Sequence, residues 1–207
     1  MPSVTFQNLL NQSNVKLTAD AKNSVDWFRK MALGVQSVDT EKLIDTKEPF
    51  KRILKLSETS VGKMYMFVYD PKTKDKLPYY DMYPLIFPIE YYNDGFLGLN
   101  LHYLPPGARA KLMDALYDTI NNNKQNKTTK LRISYDILSS VKRYAYFKPC
   151  IKRYLFGHVR SNFLYIAPDE WNIALMLPTQ KFVKSAPGGS TISVSIDQVY
   201  KDSIRKF

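Results

Sequence analysis

Hydrophobic positions fall in three textures along the chain. The first sixty residues are mostly polar. Within them Thr18 is placed to cap a helix carrying Val25, Phe28, Met31 and Ala32 on one face, and Gly34 ends it. Short helical pieces such as Pro49 to Leu56 follow in a polar connector. At Gly62 the pattern becomes strand-like. Met64-Tyr65-Met66-Phe67-Val68-Tyr69 is an unbroken apolar run stopped by Asp70-Pro71, which predicts a strand buried on both faces. A charged turn over Lys72 to Lys76 leads to Leu85-Ile86-Phe87-Pro88-Ile89-Glu90, a second strand whose internal proline predicts an edge or a bulge. Asn93-Asp94-Gly95 is a turn signal, and Phe96 to Tyr103 predicts a third strand.

The third texture is helical. Pro105-Pro106 opens a stretch with Leu112, Leu116 and Ile120 at helical spacing, and Asn121-Asn122-Asn123 closes it. Ser134 caps a predicted helix with Ile137, Leu138 and Val141 inward, and Pro149 starts another that Gly157 ends. Phe163 to Ile166 reads as a short strand. Pro168-Asp169-Glu170 places two acids in the first turn of a last helix, where the dipole favours them, and Pro178 stops it. Pro187-Gly188-Gly189-Ser190 reads as a hinge. Beyond it Ile192, Val194 and Ile196 alternate as in a strand, before a charged tail.

These elements predict an α+β fold, a small, strongly bent antiparallel sheet with an SH3-like form as one option, surrounded by helices. Three parts are expected: a helical N-terminal extension over 1–60, an α+β core domain over 61–186, and a flexible C-terminal tail over 187–207. At 207 residues and 44% hydrophobic, the chain has enough apolar side chains for a sizeable core. A single cysteine, Cys150, excludes an internal disulfide. With two histidines, His102 and His158, it cannot build a tetrahedral zinc site without several carboxylates, so no metal or other cofactor is expected. The N-terminus lacks the basic start and apolar run of a signal peptide, and no window is apolar enough to span a membrane. These features point to a reducing cytoplasm or an assembly built there, with no membrane partner.

Charge changes the picture most. Of a formal +11, +9 lies between Thr119 and Pro168, where ten bases face one acid, Asp136. The bases are Lys124, Lys127, Lys130, Arg132, Lys142, Arg143, Lys148, Lys152, Arg153 and Arg160. Segregated charge of this kind attracts a polyanion. From Val141 to Phe156 the bases interleave with rings, among them Tyr144, Tyr146 and Tyr154. Cations neutralise phosphates, and rings stack on exposed bases or pack beneath the basic side chains. A solvated helix face would normally mix in Glu and Asp. An acidic protein surface would satisfy the same charge. The block Lys76-Leu77-Pro78-Tyr79-Tyr80-Asp81-Met82-Tyr83-Pro84 reads as an extended, ring-rich surface loop that caps the sheet or makes a contact.

Signals for catalysis are sparse. His102 sits at the end of a buried strand, where a histidine is ordinarily a hydrogen-bonded packing residue. Cys150 lies among Lys148, Lys152 and Arg153, which would depress its pKa, and His158 is eight residues on. No third member or oxyanion hole accompanies them. Asp70, Asp75, Asp81, Glu90 and Asp94 match the acid count of a two-metal nuclease, but three of them fall at turns among lysines and read as solvated. Phosphate-loop, dinucleotide and HExxH motifs are absent, and Gly95-Phe96-Leu97-Gly98 fits a hairpin better than a phosphate loop.

The middle of the chain resembles a family of T4-like tailed bacteriophages, the DNA end protector or head-completion proteins. Gly62-Lys63-Met64-Tyr65-Met66-Phe67-Val68-Tyr69-Asp70-Pro71-Lys72, Leu77-Pro78-Tyr79-Tyr80-Asp81 and Gly95-Phe96-Leu97-Gly98-Leu99-Asn100-Leu101-His102-Tyr103-Leu104-Pro105 carry the resemblance. Tyr146-Phe147-Lys148-Pro149-Cys150 and Glu170-Trp171-Asn172-Ile173-Ala174 extend it to about residues 60–185. It implies a minor virion protein that binds the ends of packaged linear duplex DNA and shields them from host exonuclease. It brings no catalytic residues.

The residue reading and the resemblance meet in one expectation. The ten bases grip phosphates, while Tyr144, Tyr146, Tyr154, Tyr79 and Tyr80 stack on DNA or form an interface. Steric exclusion of an exonuclease requires no catalysis, so no enzyme is expected. Other phage head or neck proteins are the expected partners, in the virion and, during assembly, in the host cytoplasm. The rival reading is a structural adaptor of the head, neck or tail that docks by its tyrosine-rich loop onto an oligomeric ring.

Overall fold

The computed structural model describes residues 61–105, 108–109, 112–113, 116, 136, 145–166, 171–176 and 179–205. Its strands are β1 (Met64–Met66), β2 (Tyr80–Asp81), β3 (Leu85–Tyr92), β4 (Gly95–Asn100), β5 (Ile151–Leu155), β6 (Leu164–Ile166), β7 (Phe182–Ser185) and β8 (Thr191–Ser193). Two α-helices are described, α1 (Trp171–Met176) and α2 (Ile196–Arg205). The strands form a five-stranded sheet in the order β5-β4-β3-β1-β6 and a three-stranded sheet in the order β2-β7-β8. Every pairing is antiparallel.

This corrects the expected architecture. The small bent sheet surrounded by helices, with its SH3-like option, is replaced by two antiparallel sheets that dominate the described residues. The overturned element is the helix expected from Pro149 to Gly157. Ala145–Cys150 is a 3-10 turn that contains Pro149, after which Ile151–Leu155 runs extended. A strand points successive side chains to opposite faces. Extension therefore buries the Tyr154 ring while leaving Arg153 exposed. Phe182–Ser185 then pairs with β2 on one side and β8 on the other.

Both faces of the large sheet are covered, which explains why β1 reads as a continuous apolar run. On one face Met64, Met66, Leu85, Phe87 and Leu99 pack with Trp171 and Leu175 of α1, Phe182 of β7 and Val199 of α2. The other face is a cluster of rings: Tyr65, Phe67, Tyr69, Phe96, Tyr154 and Phe163, joined by Ile86. Phe67 meets Tyr154 edge-on at 5.3 Å, and Phe96 stacks on Tyr154 at 5.3 Å. Such pairs each add about 0.5–1.5 kcal/mol beyond burial.

Pro88 lies inside β3, and the register shifts between Pro88 and Glu90, so a bulge absorbs the missing donor. Gly95 is needed for a close approach, because a Cβ there would sit 2.0 Å from the Tyr154 carbonyl oxygen. The expected third strand stops early. The Asn100 side chain accepts from the His102 backbone N–H and turns Leu101–Tyr103 into a 3-10 turn. The glycine pair read as a hinge is the β7–β8 turn, with Gly188 and Gly189 at φ 78° and 79°. After β8, α2 buries Val199 and Ser203. The segments 1–60, 117–135 and 137–144, with the helices expected there, lie outside the described residues.

Candidate nucleic-acid interface

Two constellations gather the polar chemistry of the described residues. The first is internal. Asp81 in β2 and Asn100 at the end of β4 come from different sheets, and His102 follows one turn later. His102 Nδ1 lies 2.7 Å from Asp81 Oδ2, and its Nε2 lies 3.1 Å from Thr179 Oγ1. Asn100 Nδ2 donates to Asp81 Oδ2 and to the Tyr154 hydroxyl, each at 3.0 Å. The other Asp81 oxygen accepts the backbone N–H of Tyr83 and of Lys181. The set is sealed, and burial holds the His102 pKa below its ordinary value despite the neighbouring carboxylate.

A buried guanidinium extends this interior. Arg109 donates to the carbonyls of Leu104, Leu175 and His102 and, at 2.7 Å, to the Tyr200 hydroxyl. One side chain thereby joins the turn after β4, α1 and α2. Burial and these acceptors fit a planar group with five fixed donors.

The second constellation is external and gathers about the 3-10 turn Phe156–His158 that follows β5. The β3–β4 turn, the exit of β5 and the turn after β1 are tied there by hydrogen bonds. Phe156 N–H donates to the Asp94 carbonyl, Leu155 N–H to the Tyr69 hydroxyl, and Asp70 N–H to the His158 carbonyl. Arg153 reaches Asp94 at 2.6 Å and lies over the Tyr92 ring, 4.4 Å from its centroid. Asp70 draws in Lys74 at 2.9 Å and Arg160 at 3.6 Å. Bases from two distant stretches of chain, Lys74 from one and Arg153 and Arg160 from the other, are thus collected on one rim.

A family model described as phage T4 terminal DNA protecting protein matches residues 6–196. The chain belongs to this family. No curated protein and no solved structure gives a match. As a terminal DNA protecting protein of a phage, the chain protects DNA ends. Among the described residues no helix is long and apolar enough to cross a membrane.

Against that function, the residues singled out from the sequence fall into three groups. Lys124, Lys127, Lys130, Arg132, Lys142, Arg143 and Tyr144 lie outside the described residues, and of Tyr146 only the backbone is described. Lys148, Arg153 and Arg160 are exposed. Lys152 is half-buried, with its ammonium 4.2 Å from the centroid of the Tyr103 ring. The third group is the correction. Tyr154 and Tyr80 are buried, at 3% and 6% exposure, and Tyr154 belongs to the ring cluster. Tyr79, half-buried, stacks on Tyr103 at 6.3 Å and meets Phe182 edge-on. The tyrosine block read as a surface loop is in fact the strand and turn that seat the second sheet.

The other candidates have structural partners. Cys150 is buried, which pushes its thiol up to about 12 despite Lys152 and Arg109, the opposite of the activation its basic neighbours predict. His158 Nδ1 is bonded to the Asp70 carbonyl oxygen. Of the acids, Asp81 is held by His102 and Asn100, Asp94 by Arg153, and Asp70 by Lys74 and Arg160. Sequence reasoning missed Tyr92 and Arg109. Tyr92 carried a usable signal, a ring directly before Asn93-Asp94-Gly95, and hence at a hairpin tip. Arg109 carried none, since a base in a predicted amphipathic helix reads as solvated.

Proposed function

We propose that the chain acts in the virion as a non-catalytic cap on packaged linear duplex DNA and denies host exonuclease access to the terminus. The observation that carries this reading is the charge segregation within a chain of the DNA-protecting family: ten bases against one acid over 119–168. Phosphate contacts supply affinity without base readout, which suits ends of differing sequence. The grip consists of Lys124, Lys127, Lys130, Arg132, Lys142, Arg143, Lys148, Lys152, Arg153 and Arg160. Tyr144 and Tyr146 are the ring candidates that remain from the basic segment. Head or neck proteins hold the cap in the particle.

The test is protection of linear duplex from a processive exonuclease over a range of salt. Wild-type protein is expected to protect. Charge reversal at Lys142, Arg143, Lys152 and Arg153 is expected to abolish protection while the protein stays folded. Unchanged affinity of that variant at physiological salt would reject the proposed grip. Metal-dependent degradation of the DNA by the pure protein would reject the non-catalytic reading.

A further inference from the structure

The rim that gathers Arg153, Arg160 and Lys74 also carries an exposed ring. Among the described residues the large hydrophobic side chains open to solvent are Tyr92, at 36%, and Ile192. Ile192 lies in β8 of the small sheet, whereas Tyr92 ends β3 at the tip of the β3–β4 hairpin. Strand alternation explains the exposure. Tyr91 turns inward and packs on Phe96 at 6.0 Å, so Tyr92 points to the opposite face. Its cross-strand partner is Gly95, which has no side chain to cover it. Arg153 pairs with Leu97, two residues from Gly95 on the same face, and reaches the Tyr92 ring diagonally.

We propose that Tyr92 is the platform for the terminal base pair of the DNA, with Arg153 and Arg160 taking the flanking phosphates. The inference rests on the end-capping reading and adds to it the place where the end sits. A duplex terminus presents one unstacked base-pair face beside a ring of phosphates. The matching surface is an exposed ring beside cations that can exchange their partners. Tyr92 supplies the ring. Within residues 70–76, 92–95 and 153–160, five bases (Lys72, Lys74, Lys76, Arg153, Arg160) stand against three acids (Asp70, Asp75, Asp94). The acids orient the guanidinium groups without locking them. Arg153–Asp94 is 47% and 63% exposed and Arg160–Asp70 50% and 34%, so water screens both pairs and a phosphate can displace the carboxylate. The hydrogen bonds from Phe156 to Asp94 and from Asp70 to His158 keep hairpin tip and bases on one rim.

The experiment uses the full-length protein with Tyr92→Ala and Tyr92→Phe, and a short duplex carrying 2-aminopurine in its terminal pair. Linear and circular DNA of one sequence serve as competitors. The wild type and Tyr92→Phe are expected to change the terminal fluorescence and to prefer linear DNA. Tyr92→Ala is expected to lose the fluorescence change and about tenfold or more of its affinity for ends, with its affinity for circles unchanged. Thermal melting confirms that the variants are folded. Retention of end preference and fluorescence change by folded Tyr92→Ala overturns the platform and leaves end capping intact. A wild type that binds circles and linear DNA equally overturns end capping itself, and the platform with it.

Discussion

His102–Asp81 and Arg153–Asp94 are ion-pair geometries of nearly equal length, 2.7 and 2.6 Å, placed in opposite surroundings. The first is sealed, with side chains 0% and 1% exposed, and the second lies open on the rim. Distance therefore does not separate a sealed charge from an open one in this chain. Solvent does. Where water is excluded, every remaining donor and acceptor must be matched. Asp81 accordingly accepts from Asn100 and from two backbone N–H groups as well as meeting His102. On the rim, water and salt screen the pair, so its partners can change. The interior pair joins the two sheets, and the exterior pair is available to a polyanion.

The interior pair is most vulnerable at Asp81. Asp81→Ala leaves His102, Asn100 and two backbone donors without their acceptor, and is expected to cost about 3–5 kcal/mol in urea unfolding. A loss below about 1 kcal/mol would mean that the two sheets are held together by apolar packing alone. Gly95→Ala comes next. Its Cβ would meet the Tyr154 carbonyl, so β5 must shift, at about 1–3 kcal/mol with fraying of the β4–β5 pairing in hydrogen exchange.

Acid acts on the interior pair through His102. Burial lowers the folded-state pKa of His102, so the unfolded chain binds its proton first as pH falls. The stability from this group is complete above about pH 6.5 and is lost from there down towards its folded pKa, by at most about 1.4 kcal/mol per unit. His102→Asn is expected to flatten that part of the stability-pH curve. The smallest effect on folding belongs to the rim. Arg153→Ala is expected to change stability by no more than about 1 kcal/mol. It should nevertheless weaken DNA binding and reduce the salt slope by about one phosphate contact.

The sequence carried local features well. The apolar run at Met64, the hairpin at Asn93-Asp94-Gly95, the strand ending at Ile166 and the proline bulge in β3 depend on neighbours along the chain. It carried the dominant architecture poorly. β2 is two residues long, and β5 holds two consecutive bases after a proline-containing turn. Both are strands only because distant partners, Phe182–Val183 and Phe96–Leu99, lie beside them. The excess of positive charge was legible because composition records it. The division of that charge into buried, ring-stacked and exposed groups was not, since Arg109 and Arg153 look alike until burial separates them. The tyrosines show the same limit. Tyr154 and Tyr92 both neighbour bases or turns, yet strand alternation sends one into the core and leaves the other on the surface.

Recognition of DNA ends by this chain can be read by counting ends. A fixed mass of one circular duplex would be cut into one, three or ten linear fragments, and the protein titrated to saturation at physiological salt. End capping predicts that bound protein rises with the number of termini at constant mass, with little bound to the uncut circle. Saturation that follows total base pairs and ignores the cuts would contradict it.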